Sequence, residues 1–234
     1  MLREDEPLAI AIVSAIRIGD MDAVRRLVDG NPGLAAERLT NAKGSARTPL
    51  HVVTDWPGFF PNGPQIARLL LSAGADPNAA TEAGRGGETP LHWAASSDDA
   101  DVARVLVDGG ADIEIPDGSI GTPLDNAIGY ACWNVARLLV GAGARVEKLW
   151  HAAALGLTGR LAELLSGTAP SADEINQAFF HACDGGQRRA AELLLAHGAD
   201  LHASPDYGNS PLEAAANLGT QRNLLIEWLR ANGA

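Results

Sequence analysis

A four-residue phrase that recurs along this chain constrains its fold more than any other feature. Residues 48–51 read Thr-Pro-Leu-His, residues 89–92 repeat the phrase, and altered copies stand at 122–125 and 210–213. The step from Thr89 to Thr122 is 33 residues, which lies within the range of about 20 to 50 residues typical of repeat architectures. A unit of this length cannot bury its own apolar face, so the phrase predicts a stack of similar units around one continuous core.

A second signature marks the end of each unit. An apolar helical segment runs into Gly-Ala-Asp at 66–76, 102–112 and 190–200, and more loosely into Gly-Ala at 135–144. In the opening phrase, Thr is a good helix N-cap and Pro suits the first helical turn. The closing Gly supplies a left-handed C-cap before the chain turns away. Together the two signatures predict an all-α fold in which each unit contributes a pair of helices.

The two signatures at this period resemble the ankyrin-repeat family along the whole chain. The resemblance implies one domain over 1–234, an ankyrin-repeat solenoid of about seven helix pairs with β-hairpin or turn connections. It also implies a structural hydrogen bond between the Thr and the His of each phrase, and a function in protein binding through the hairpin tips and the concave face. The repeats are expected near 7–40, 48–80, 89–115, 122–146, 147–170, 175–204 and 210–234.

Composition limits the classes of partner. The chain carries 29 acidic and 18 basic residues, a formal net charge of −11, which repels nucleic acid and anionic membrane surfaces. We therefore expect a protein or peptide partner of neutral or basic character, no cofactor and a cytoplasmic location. Cys132 and Cys183 have no metal-binding spacing and are expected to be free thiols. Only two basic residues are lysines, Lys43 and Lys148, and with the abundant alanine this indicates a bacterial-type, GC-rich genome.

Three departures from the 33-residue period are informative. The step from Thr48 to Thr89 is 41 residues, and the extra residues fall at 54–64 and in the hairpin 81–88. Between the fourth and fifth repeats, residues 144–147 leave the connection too short for a hairpin, which would open the concave groove from one side. Phe59 and Phe60, in the first insertion, either cover the end of the groove or pack on the third repeat.

The register predicts which side chains face the groove. The residue after the His position of each phrase, and those three and four positions later, share one helix face. The first column reads Ser14, Val52, Trp93, Asn126, His151, His181 and Ala214. The second reads Arg17, Asp55, Ser96, Gly129, Ala154, Asp184 and Asn217, and the third reads Ile18, Trp56, Ser97, Tyr130, Leu155, Gly185 and Leu218.

The middle of this surface is the candidate site. Large aromatic residues alternate with small ones, a pattern that predicts a pocket, and we expect Asp55, Trp56, Trp93, Asn126 and Tyr130 to bind a ligand there. Trp and Tyr clusters are also typical of protein-binding hot spots. In the same columns, His151, His181 and Asp184 are expected to face one groove with Trp93 and Asn126.

His181 and Asp184 are spaced i, i+3 on one helix, so the carboxylate is expected to orient the imidazole and raise its pKa, half of a general-base arrangement. With His151 they also resemble a two-His, one-carboxylate metal set. The simpler interpretation is hydrogen bonding between repeats. Two functions remain open: a module that binds a protein or peptide, or a small-molecule binder or enzyme that holds an aromatic or hydrophobic ligand and uses His151, His181 and Asp184 as acid and base.

Overall fold

The computed structural model describes residues 1–82, 87–167, 169–204, 208–216 and 223–233. It divides into two compact units, unit 1 from Met1 to Ala144 and unit 2 from Arg145 to Ala234. Asn217 and Leu218, which the register places in two of the columns, lie outside the described residues, as do residues 83–86 of the extended hairpin.

Unit 1 is a stack of four helix pairs. The helices are α1 (Pro7–Ile18), α2 (Met21–Gly30), α3 (Pro49–Thr54), α4 (Gly63–Ser72), α5 (Pro90–Ser97), α6 (Ala100–Asp108), α7 (Pro123–Gly129) and α8 (Trp133–Gly141). The first helices α1, α3, α5 and α7 contact one another in order, and so do the second helices α2, α4, α6 and α8. The largest of their fully buried side chains are Leu and Ile, such as Ile12, Leu50, Leu91 and Leu124. The all-α repeat fold predicted from the phrase is confirmed.

A small sheet closes the first pair of unit 1. Its strands are β1 (Leu2–Arg3), β2 (Leu39–Thr40) and β3 (Ala46–Arg47), with β1 parallel and β3 antiparallel to β2. Ala46 also exchanges two backbone hydrogen bonds with Glu82, of 2.8 and 2.9 Å, which joins the hairpin after the first repeat to the next one. β1 could not be predicted from the sequence, because a strand of two residues is too short to show an alternation of polar and apolar side chains.

Unit 2 is a stack of three helix pairs. The helices are α9 (Leu149–Ala154), α10 (Thr158–Ser166), α11 (Ala172–Asp184), α12 (Arg188–Ala196), α13 (Pro211–Ala216) and α14 (Asn223–Ala231). Phe179 is fully buried among small alanines and the side chains of Leu161, Leu194 and Leu229. Residues 142–148, between α8 and α9, contain no β-strand, as the short connection predicts.

The same type of N-terminal cap begins helices in both units, although the capping residues differ. Each backbone N–H at the N-cap donates to the side chain three residues later. The acceptor is His51 Nδ1 for Thr48 (3.1 Å), Asp125 Oδ2 for Thr122 (2.8 Å), Glu174 Oε2 for Ser171 (2.8 Å) and Glu213 Oε2 for Ser210 (2.7 Å). Because the Ser171–Glu174 pair caps α11, this helix begins at Ala172, slightly before the position near 175 at which the sixth repeat is expected to begin.

The insertion between α3 and α4 is held on both sides. Asn62 Nδ2 donates to the Gly19 carbonyl (2.9 Å), and the Phe59 N–H donates to Asp99 Oδ2 (3.0 Å). Gly19 has a φ of +73°, and a Cβ there would lie 2.3 Å from the Pro61 carbonyl oxygen, so only glycine fits. The Phe59 side chain is 67% exposed. The backbone of the insertion therefore contacts the third repeat, while the Phe59 ring faces solvent.

Candidate functional site

Unit 1 contains an open cleft of about 340 Å³, called the aromatic cleft below. Five residues are predicted to bind a ligand. The cleft is lined by the three aromatic ones, Trp56, Trp93 and Tyr130, and also by Asp55. The structure thus brings together four of the five predicted binding residues. The complete lining is Thr54, Asp55, Trp56, Glu88, Trp93, Ser96, Ser97, Ser119 and Tyr130.

The three rings of the cleft differ in how firmly they are held. Trp93 follows His92 on α5, its Nε1–H donates to Glu88 Oε2 (3.0 Å), and its ring meets the His51 ring edge-on at 5.0 Å between centroids. Trp56, in the insertion, is 82% exposed, and Tyr130, at the end of α7, is 51% exposed. One fixed indole is therefore flanked by two large exposed aromatic side chains.

Glu88 connects the elements that line the cleft, and it is not among the binding residues predicted from the sequence. Its Oε1 accepts from the Ser119 N–H (2.9 Å) and from Asn126 Nδ2 (3.3 Å), and its Oε2 accepts from Trp93. The carboxylate thereby joins the third repeat to the loop before α7. Only its position directly before the Thr89 phrase could have indicated this role. The repeat register predicts groove residues from positions after the phrase, so it does not include Glu88.

Asn126 is the predicted binding residue that does not line the cleft. It is fully buried, its Oδ1 accepts from the Ile120 N–H (3.1 Å), and its Nδ2 donates to Ser96 Oγ and Glu88 Oε1, each at 3.3 Å. Both ends of the amide are therefore used within unit 1. The structure gives Asn126 a supporting position behind the lining residues.

Asp55 lies at the rim in an ion-pair network. Its Oδ2 accepts from Arg17 Nη2 (3.0 Å) and from Arg47 Nη1 (2.8 Å), and Arg47 also pairs with Glu4 at 3.1 Å. The charge of Asp55 is therefore compensated by two guanidinium groups from α1 and β3. This network fixes the end of α3, from which the chain turns into the insertion that carries Trp56.

A second cavity, of about 330 Å³, lies against the same two residues. Its lining is Glu4, Asn41, Ser45, Ala46, Arg47, Thr81, Glu88 and Trp93. Glu88 and Trp93, which are joined by a hydrogen bond, therefore border both cavities.

The histidines of the phrases have structural roles, as the resemblance implied. His51 Nδ1 accepts from the Thr48 N–H, so its Nε2 carries the proton and donates to the Glu88 carbonyl at 3.0 Å. His92 repeats this arrangement with Thr89 and reaches the Ile115 and Gly121 carbonyls, each at 3.1 Å. Burial lowers the pKa of His51 to about 4 and lowers that of His92 as well, so both rings are neutral near pH 7.

In unit 2, His151 and His181 belong to a group of rings that we call the histidine cluster: the half-buried Trp150 and the buried His151, Phe180 and His181. The Trp150 centroid lies 4.5 Å from that of His151 and 5.0 Å from that of His181. Each histidine is 3% exposed. The raised pKa expected for His181 is wrong: burial, and then the charge of His151, lower the pKa of His181 to about 4. Asp184, at the end of α11, is half-buried.

The cysteines are free and buried. Burial raises the pKa of the Cys132 thiol to about 11, which favours the unreactive protonated form. Cys183 is fully buried beside Phe179 in the core of unit 2. Within the described ranges, no group of three or more His, Cys, Asp or Glu side chains is arranged to hold a metal ion.

Comparison with known proteins agrees with this architecture. A family model for ankyrin repeats, in three copies, matches residues 60–148. The mouse B-cell lymphoma 3 protein homolog is 26% identical over 219 residues, which cover 92% of this chain and 41% of that protein. The human ankyrin repeat and SOCS box protein 16 is 32% identical over 178 residues, which cover 58% of this chain and 37% of that protein.

A solved structure extends the likeness to nearly the whole chain. The crystal structure of the ankyrin repeat domain of Bcl-3, described as a member of the IkappaB protein family, matches with a TM-score of 0.51 and 25% identity. The matched region covers 97% of this chain and 98% of the Bcl-3 chain. The fold and the cleft define a helical repeat protein. The chain is similar to ankyrin-repeat proteins in sequence and in fold, and it spans less than half the length of the curated relatives it matches.

Among the helices of the described ranges, none has the length and apolar character needed to cross a bilayer.

Proposed function

We propose that this chain is a protein-binding module and that a peptide segment of its partner binds in the aromatic cleft of unit 1. The observation that carries this proposal is the exposure of Trp56 (82%) and Tyr130 (51%) on either side of the fixed Trp93. Exposed large aromatic side chains grouped around a concavity are typical of binding hot spots.

The likeness to ankyrin domains supports the same assignment. Ankyrin arrays mostly bind other proteins, and the cleft is lined by residues of the predicted groove columns that lie on α5 and directly after α3 and α7. The ion pairs of Asp55 and the hydrogen bonds of Glu88 hold its walls without any ligand. A preformed site of this kind binds with little ordering cost.

The histidine cluster supports the acid–base alternative less well. His151 and His181 are each 3% exposed, and the pKa of His181 is lowered rather than placed near neutrality. A general acid or base needs access to its substrate and a pKa near the working pH.

A random peptide library displayed on phage tests the proposal when it is selected on the full chain. Selected sequences are then synthesised, and their affinities are measured by calorimetry against the wild type and a Trp56→Ala variant. We expect Trp56→Ala to weaken binding by at least about tenfold, or about 1.4 kcal/mol, because truncation of an exposed aromatic anchor removes most of its contact area.

Leu224→Ala is the matched control, because Leu224 is also a large exposed apolar residue (67%) but lies in unit 2. It should leave the affinities unchanged. Selected peptides that bind Trp56→Ala as tightly as the wild type would contradict the cleft as the binding site. A cleft that takes small aromatic compounds but no peptide would favour the small-molecule alternative instead.

A further inference from the structure

Three of the hydroxyl groups that line the aromatic cleft already donate their protons to backbone carbonyls. Ser96 Oγ donates to the His92 carbonyl (2.9 Å) and Ser97 Oγ donates to the Trp93 carbonyl (3.0 Å). Thr54 Oγ1 donates to the His51 carbonyl (3.1 Å). A hydroxyl has one proton and two acceptor lone pairs, so these side chains offer a ligand only acceptors.

The indole and the carboxylate at the centre of the cleft extend this pattern. The Trp93 Nε1–H is used by Glu88, and an ionised carboxylate has about four acceptor sites and no donor. Three donors bind Glu88: Trp93, Ser119 and Asn126. One acceptor site of Glu88 is left, and the three donors named are all uncharged groups.

One hydroxyl proton remains in the lining. Ser119 Oγ and the Tyr130 hydroxyl lie 3.3 Å apart and share a hydrogen bond that uses one of their two protons. The polar side chains of the cleft are therefore rich in acceptors and poor in donors. A ligand that satisfies them must bring several donors and few acceptors, because a buried polar group without a partner costs free energy.

The exposed rings of the cleft and the net charge of the chain restrict the class of ligand further. Trp56 and Tyr130 present exposed aromatic surface, which attracts a cation placed over a ring face. The formal net charge is −11. Asp55 is already paired with Arg17 and Arg47, so Glu88 is the carboxylate of the lining whose hydrogen bonds leave its charge available to a ligand.

From this pattern, and resting on the proposed function, we infer that the aromatic cleft receives an arginine side chain of the partner. A guanidinium carries five N–H donors and no acceptor, it is planar, and it stacks on aromatic rings. Lysine brings a positive charge but only three donors on a strongly hydrated ammonium. The guanidinium would stack on an exposed ring and donate to Glu88 and to the serine hydroxyl oxygens.

The test compares two blocked pentapeptides, Gly-Gly-Arg-Gly-Gly and its twin with citrulline in place of arginine. Citrulline has nearly the same shape, but it is neutral and replaces an N–H₂ group with an acceptor oxygen. Binding to the full chain is followed through the indole N–H signals of ¹⁵N-labelled protein. We expect the arginine peptide to shift the Trp56 and Trp93 signals in a saturable way, at least about tenfold more tightly than the citrulline peptide.

Glu88→Gln is the informative variant, because it keeps the size of the side chain and removes its charge. It should weaken the arginine peptide by about tenfold and leave the citrulline peptide unchanged. Glu227→Gln removes the same charge from an exposed position of unit 2 and should change neither. Since Glu88 also supports the fold, Trp56→Ala serves as a second variant, and it should weaken the arginine peptide in a protein of unchanged thermal stability.

Equal binding of the two peptides, or shifts confined to Trp150 and Trp228 in unit 2, would overturn the inference. A lysine twin separates arginine from any basic side chain, and equal binding of lysine would also overturn it. Library peptides that bind the cleft without arginine would leave the proposed function intact and remove this inference alone.

Discussion

The aromatic cleft and the histidine cluster occupy the same position in the repeat register and have opposite environments. Trp93, His151 and His181 each follow the position that histidine takes in the opening phrase. Trp93 is half-buried and lines a cleft, whereas the two histidines are each 3% exposed beneath Trp150. The repeat register therefore determines the position of a residue in its helix pair. The neighbouring side chains determine whether a ligand can reach that residue.

The difference has a local cause in each unit. In unit 1 the insertion after α3 places Trp56 at the edge of the cleft and leaves it 82% exposed. In unit 2 Trp150 replaces the histidine of the phrase, and its ring contacts both His151 and His181. Rings in unit 1 should therefore contribute to binding, and rings in unit 2 to stability.

The largest effect on stability should come from Phe179→Ala in unit 2. Phe179 is fully buried in the core, and replacement of a buried Phe by Ala typically costs about 3–5 kcal/mol. Hydrogen exchange measured by mass spectrometry should show lost protection in α9 and α11. A change below about 1 kcal/mol in denaturant unfolding would show that the core of unit 2 is not packed as described.

Acidification should weaken unit 2 through His181. Its pKa is about 4 in the folded chain against an ordinary value of 6.5, so below pH 6.5 the unfolded chain takes up a proton that the folded chain refuses. The contribution of the neutral ring is complete above pH 6.5 and is lost as the pH falls toward 4. The total is about 3 kcal/mol, since one pKa unit corresponds to about 1.4 kcal/mol.

Denaturant unfolding at pH 7 and pH 5 measures the part of this loss that falls between those values, about 2 kcal/mol at about 1.4 kcal/mol per pKa unit. His181→Gln should lower stability at pH 7 but flatten the decline with pH, whereas His202→Gln, at an exposed position, should keep the wild-type decline. An unchanged slope in His181→Gln would mean that the ring titrates normally in the folded chain.

Asn126→Ala should have an intermediate effect, confined to unit 1. It removes the bonds to the Ile120 N–H, Ser96 and Glu88, and loss of buried partners costs about 1–3 kcal/mol. The amides of Ser119 and Ile120 should exchange faster while those of unit 2 do not. Retained protection at both amides would show that Asn126 does not hold the loop before α7.

Local features of this chain could be predicted from the sequence, and features that depend on stacking could not. The Thr48–His51 and Thr89–His92 bonds span three residues in one helical turn, so the phrase predicts them. The partners of Glu88 lie 5, 31 and 38 positions away, and only the packed repeats bring them together. The spacing of His181 and Asp184 is readable, but the burial that lowers the His181 pKa is not.

The capping pair Ser171–Glu174 could have been predicted from the sequence, although the expected repeat bounds do not include it. A Ser followed three residues later by Glu is a known opening signal for helices, and it places the start of α11 at Ala172. The Thr-Pro-Leu-His phrase does not reveal this pair, since the two residues between Ser171 and Glu174 are Ala and Asp. Helix openings in a divergent repeat are better sought by the capping geometry than by the family phrase.

The smallest effect on stability should come from Trp56→Ala, and this makes it the sharpest test of the comparison. With 82% of its surface exposed, Trp56 gives up little buried area, and surface substitutions usually change stability by less than about 0.5 kcal/mol. Thermal unfolding should therefore match the wild type while peptide affinity falls by about tenfold. Stability loss comparable to that of Phe179→Ala would place Trp56 among the packed rings and remove the distinction between the two units.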